Sequence, residues 1–216
     1  MPLWPATSHA QESTMELDAR STAIIAIHCQ GDVVGPTGAL AGLFSQQIRE
    51  RNVINRIGTV LDAGRRAGCT VVYTRIAFRS DYSDLIANSP ILAEIPKLGC
   101  MQDGTSSTEI IAELEPDPAD ILITHKRVGG FTDELHSVFT ARGITTVLFS
   151  GVATNVSVES TARAATDLGY RVGIIDDACS AATPEAHTAA LASLSVLATI
   201  TSVDEVAGSL TVLAGR

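Results

Sequence analysis

The sequence predicts an α/β fold: a three-layer, doubly wound, mostly parallel sheet with helices on both faces. Three observations predict it. Apolar runs with no polar alternation recur along the chain, stretches of helical periodicity separate them, and a glycine closes three of those stretches just before the next run. A strand buried on both faces reads as a continuous apolar run, the mark of a parallel sheet covered by helices. Strands alternating with helices imply βαβ units.

Each element follows from its own residues. STAIIAIH (21–28) opens the series, and CTVVYTR (69–75), DILITH (120–125), TTVLFSG (145–151) and YRVGIID (170–176) continue it, with ATITSVDEV (198–206) a weaker sixth run. IRERNVINRIGTVLDAGRRAG (48–68) repeats apolar residues at Ile48, Val53, Ile57, Val60 and Leu61, the spacing of one helical face, and Gly68 closes it. TDELHSVFTARG (132–143) sets Leu135, Val138 and Phe139 on one face and ends at Gly143. SVESTARAATDLG (157–169) and PEAHTAALASLSVLA (184–198) complete the helices. The connection GPTGALAGLF (35–44) reads as a loop exposing Leu40, Leu43 and Phe44, a patch suited to contact between copies of the chain.

A chain of 216 residues fits one domain, here 19–216, preceded by a polar, Pro-containing arm over 1–18. With 45% hydrophobic and 18% charged residues it can bury a core. Fifteen Lys and Arg against 24 Asp and Glu leave a net charge of -9, which excludes nucleic acid and an anionic membrane surface as partners. No apolar run reaches the roughly 20 residues of a membrane helix. MPLWPATSHAQEST (1–14) lacks the basic and apolar regions of a secretory signal. Cys29, Cys69, Cys100 and Cys179 lie far apart with no CxxC pair, which fits a cytoplasmic protein with reduced thiols, without zinc or disulfides. Cys100, in a long connection, reads as the exposed thiol.

In an open α/β sheet the ligand site lies beyond the C-terminal ends of the strands. The candidates are therefore His28, Arg75, His125 with Lys126, residues 151–157, and Asp176 with Asp177. FSGVATNVSVESTARAA (149–165) is the most informative segment: a strand, a short turn, then a helix whose first residues include Ser157. Unpaired N–H groups at a helix N-terminus favour negative charge, so a hydroxyl there can act as a nucleophile beside an oxyanion hole. Taken alone, Ser157 reads more readily as a helix-terminal residue, and His28 as a structural strand-end histidine. Three such strand ends carrying His28, His125/Lys126 and Ser157 nonetheless supply a nucleophile, a base and an orienting group. Arg75 and Arg79 suit bidentate binding of a carboxylate, or are solvated loop residues.

AIIAIHCQGDVV (23–34), GVATNVSVESTARAATDLGYRV (151–172) and DDACSA (176–181) resemble the isochorismatase-like hydrolases, also called cysteine hydrolases, over about residues 20–206. The resemblance implies a dimeric or tetrameric amidohydrolase acting on a small molecule, in a family whose catalytic groups are an Asp, a Lys and a Cys. The family's Asp falls here on His28, with Gln30 and Asp32 matching the rest of that motif, and its Cys falls on Ser157. Its Lys falls by spacing on His125, or after a one-residue shift on Lys126. The family's cis peptide joins Val152 to Ala153, implying an oxyanion pocket formed with Ser157. Gln30, Arg75, Arg79, Phe131 and Asn155 are the expected substrate-binding residues. TRIAFRSDYSDL (74–85) lacks the histidine that metal-binding nicotinamidases carry there, so neither a metal nor another cofactor is expected.

A serine hydroxyl needs a base where a thiolate does not. His28, with an ordinary pKa near 6.5, meets that need. The expectation is hydrolysis of a C–N bond, amide or carbamoyl, through Ser157 with His28 as base and His125 or Lys126 beside it. Two alternatives stay open: proton donation to a vinyl ether without a covalent nucleophile, and a catalytically inactive small-molecule-binding homologue.

Overall fold

In the computed structural model, which describes Met15 and residues 17–211, each continuous apolar run forms a strand of one parallel sheet. The strands are β2 (Thr22–Ile27), β3 (Thr70–Ile76), β4 (Ile121–His125), β5 (Thr146–Val152), β6 (Arg171–Ser180) and β7 (Thr199–Thr201), in the order β4-β3-β2-β5-β6-β7. A small parallel pair, β1 (Leu17–Asp18) and β8 (Leu210–Thr211), lies outside it.

β2 is buried throughout because it has a neighbour on each edge and helices on each face. Its side chains alternate: Ile24 and Ala26 enter one core, and Ala23, Ile25 and Ile27 enter the other. The first core is closed by α2 (Ala41–Glu50), α3 (Val53–Ala67), α4 (Pro90–Leu98) and α8 (Val203–Ser209). The second is closed by α5 (Asp133–Arg142), α6 (Glu159–Asp167) and α7 (Pro184–Leu194), where Leu135, Phe139 and Leu194 are fully buried. α1 (Gly31–Val34) is a single turn after β2. Among the described residues no helix is long and apolar enough to cross a membrane.

Several boundaries differ from the sequence expectation. The helix expected over 48–68 breaks at Asn52, whose φ of 53° is left-handed, so α2 and α3 meet at an angle the apolar spacing alone does not reveal. The weak run 198–206 keeps only three strand residues, because Ser202 and Glu205 form a reciprocal capping box that starts α8. The connection 35–44 enters α2, where Leu40 and Phe44 are buried and Leu43 alone stays exposed, at 54%. Of the exposed patch expected there, only Leu43 remains at the surface. The expected arm over 1–18 lies largely outside the described residues, but Leu17 and Asp18 belong to the domain, paired with Leu210 and Thr211.

Gly151 fixes the approach of β5 to β2. Its φ is 118°, and a Cβ there would sit 2.2 Å from the Ile27 carbonyl oxygen. Gly151→Ala is therefore expected to destabilise the fold by about 2 kcal/mol or more, through both strain and the clash. Urea denaturation would read this as a lowered midpoint, and an unchanged midpoint would contradict the close approach.

Candidate functional site

The chain leaves β2 toward β3 on one side and leaves β5 toward β6 on the other, so the order reverses between β2 and β5. In a doubly wound sheet that reversal opens a crevice at the carboxyl ends of the two strands. His28 follows β2 directly, with a left-handed φ of 52° and its N–H donated to the Thr74 carbonyl at 3.0 Å. A non-glycine residue held in this region costs about 1–3 kcal/mol, and such strain gathers at functional sites.

The turn of His28 carries its ring across β3 to the end of β4. His28 Nε2 lies 3.1 Å from His125 Nε2, and the rings stack with centroids 5.1 Å apart. Both side chains are buried. Gly130 makes room for the pair, since a Cβ there would approach His125 Nε2 to 2.9 Å. Beneath it, Thr74 Oγ1 and His125 Nδ1 have no hydrogen-bond partner among the described residues. Two neutral imidazoles share an Nε2···Nε2 bond only when one carries its hydrogen on Nε2 and the other on Nδ1.

Ser157 enters from the opposite strand. The Val152–Ala153 peptide is cis, and the π-helical turn Thr154–Val158 follows it into α6. The turn is fixed from two sides. Thr154 Oγ1 bonds His187 Nδ1 at 2.8 Å, and His187 Nε2 bonds Asp176 Oδ1 at 2.8 Å. Arg51 closes the chain on the same carboxylate at 2.7 Å. His187 and then Arg51 hold the Asp176 carboxyl below its ordinary range. On the other side, Thr161 Oγ1 donates to the Ser157 carbonyl at 2.6 Å and accepts the Gly130 N–H at 2.9 Å. Asp177 accepts the Val203 N–H and so anchors α8.

His28, Val152, Ala153 and Ser157 line one pocket, with an empty volume of about 470 Å³ counting the open mouth. The remaining walls are apolar and come from α1, α2 with Leu40 before it, α4, Ile76 at the end of β3, Val156 on the turn, and the segments around Met101 and Val128. Asp32, buried behind the wall, accepts the Met101 N–H at 2.7 Å and fixes that residue. The sequence reading missed α4, which supplies Ile91, Leu92 and Ile95. Its signal was present: Ser89 as N-cap, Pro90 at the first helical position and Gly99 just past the end.

Other expected site residues lie elsewhere. Lys126 turns outward, its Nζ on the Ala77 carbonyl and the Asp84 carboxylate, because it follows His125 by one residue and faces the other side of the strand end. Arg75 is held by Asp103, Glu109 and Thr124. Arg79 is exposed on a loop. Gln30 spends its amide on β3, donating to the Ile76 carbonyl at 2.9 Å and accepting the Ile76 N–H at 2.8 Å. Phe131 packs on Phe139 and Tyr170 in the second core. Asn155 is exposed on the turn. None of these six lines the pocket. Among the described residues no group of three or more His, Cys, Asp and Glu side chains is arranged to hold a metal ion.

Residues 22–205 match the isochorismatase domain. The chain is 30% identical over 198 residues to an uncharacterized isochorismatase family protein, YecD, of Escherichia coli O157:H7, covering 91% of this chain and all of the relative. It is 32% identical over 191 residues to the ureidoacrylate amidohydrolase RutB of Caulobacter segnis, covering 82% of this chain and 79% of the relative. The crystal structure of a cysteine hydrolase from Pseudomonas syringae pv. phaseolicola superposes with a TM-score of 0.82 at 24% identity, over 91% of this chain and 95% of that one. The chain belongs to the isochorismatase family and is a hydrolase of that family.

Burial, then the neighbouring His125, pushes the His28 pKa well below 6.5. Burial lowers His125 to about 4, against a smaller upward pull from the Arg127 backbone. Both rings are thus neutral in the folded protein at neutral pH, a correction to the ordinary value expected for His28. In the unfolded chain they take up protons near pH 6.5. The unfolded state then binds more protons, so stability present above pH 6.5 is lost as pH falls toward 4. For His125 the loss is on the order of 3 kcal/mol at 1.36 kcal/mol per pH unit. Urea midpoints between pH 7 and 4 should fall accordingly, and should fall less in His125→Gln; equal slopes would refute the shift.

The thiols give a second check. Cys100 is buried rather than exposed, and burial raises its pKa to about 11 and those of Cys29 and Cys69 to about 12. Cys179 is also buried and raised. Only Cys69 is partly accessible. Iodoacetamide at pH 8 should modify the folded protein slowly and at Cys69 first, read by peptide mass spectrometry; rapid labelling of Cys29 or Cys179 would contradict the packing.

Proposed function

We propose that this hydrolase cleaves a C–N bond, amide or carbamoyl, of a small molecule through Ser157, with His28 as base and His125 as the group that orients it. One observation carries the reading: in a pocket otherwise lined by apolar side chains, the polar side chains are His28 and Ser157. Similarity to an amidohydrolase supports the bond type.

Chemically, His28 donates from Nε2 to His125 and keeps the lone pair of its other nitrogen. Ser157 Oγ adds to the carbonyl carbon while His28 takes the hydroxyl proton. The N–H groups of Ala153 and Ser157 receive the oxyanion at the start of the helical run. As the intermediate collapses, the C–N bond breaks and His28 returns the proton to the leaving nitrogen. Water, deprotonated by His28, then releases the acid from Ser157 as the same ring gives its proton back to Oγ.

The depressed His28 pKa speaks against proton donation to a vinyl ether, since the ring is not protonated at neutral pH. It also makes His28 a weak base, and Ser157 Oγ has no hydrogen bond to His28 among the described residues. These two facts favour the binding-homologue reading as the second choice, although such bonds often form only with substrate present.

Kinetics separate the readings. Ser157→Ala should abolish amide hydrolysis, and His28→Gln should lower kcat by about 10²-fold or more. The rate should stay level as pH falls from 8 through 6.5 and drop only at lower pH. Retained turnover in Ser157→Ala would rule out the serine nucleophile.

A further inference from the structure

We propose that the pocket selects an uncharged substrate with an apolar substituent, an amide of an aliphatic or aromatic acid, and rejects amides that carry a second carboxylate. This rests on the hydrolase reading of Ser157. Beside His28 and Ser157 the pocket is lined by Leu40, Phe44, Leu92, Ile95, Met101 and Val156.

Among the described residues no cation lines this pocket. Three cations close in sequence to the strand ends are held by other groups. The Arg75 guanidinium bridges Asp103 and Glu109, Lys126 binds Asp84, and Arg127 Nη1 reaches the Ile86 carbonyl at 3.5 Å. The carboxylate behind the wall, Asp32, has the same sign as an anionic substrate. A second carboxylate, carried among the apolar side chains while the amide occupies Ser157 and its N–H groups, would lose its water and meet no cation, which is strongly unfavourable. An alkyl or aryl group would gain by leaving water.

Hexanamide and adipic acid monoamide have chains of equal length, and the second ends in a carboxylate. Ammonia release from each is followed with the wild-type protein, and binding of each to Ser157→Ala is measured by calorimetry. The expected result is a preference of tenfold or more for hexanamide in kcat/KM and in binding. Ile91, 37% exposed at the rim, tolerates a charge. Ile91→Lys is expected to strengthen binding of the monoamide several-fold, with an unchanged melting temperature showing that it folds. Selective binding of hexanamide without turnover would keep the substrate class and reject the hydrolase reading. Equal or tighter binding of the monoamide, or no binding of either compound at millimolar concentration, would overturn the substrate class.

Discussion

Everything about this site follows from β2 being enclosed on all four sides. Hydrogen bonds to β3 and β5 occupy its edges, and two helical layers cover its faces. A strand so enclosed has one way out, at its C-terminal end. There the chain must turn at His28 while β5 delivers its own turn alongside. The left-handed backbone at His28 is held by the packing of the strand beneath it and by the bond to Thr74. Such strain persists only where surrounding structure over-determines it.

The same enclosure sets the electrostatics. Two imidazoles withdrawn from water and 3.1 Å apart cannot both carry charge, so they remain neutral and their hydrogen bond fixes the rings. Arg75 and Lys126, close in sequence to the strand ends, turn to Asp103, Glu109 and Asp84 on the intervening loops. What remains facing the pocket is apolar side chains, one imidazole and one hydroxyl. The Thr154–His187–Asp176–Arg51 chain lies outside the pocket and braces the turn that carries Ser157.

The sequence by itself determined the strands, the parallel sheet and the glycine-closed helices, because a strand buried on both faces must be apolar throughout and an amphipathic helix must repeat at its own period. Helix α4 carried its caps in plain view, at Ser89, Pro90 and Gly99. The sequence also brought His28, His125 and Ser157 to strand ends, since those positions follow directly from where the apolar runs stop. Tertiary structure alone decided the rest. Gln30 proved to be a clamp on Ile76 and Phe131 a core residue because side-chain direction depends on partners far along the chain. His125 rather than Lys126 met His28 because one residue reverses the face of a strand. The pKa of His28 and the apolar character of the pocket depend on burial by α2, α4 and Met101, which no spacing within the motifs encodes.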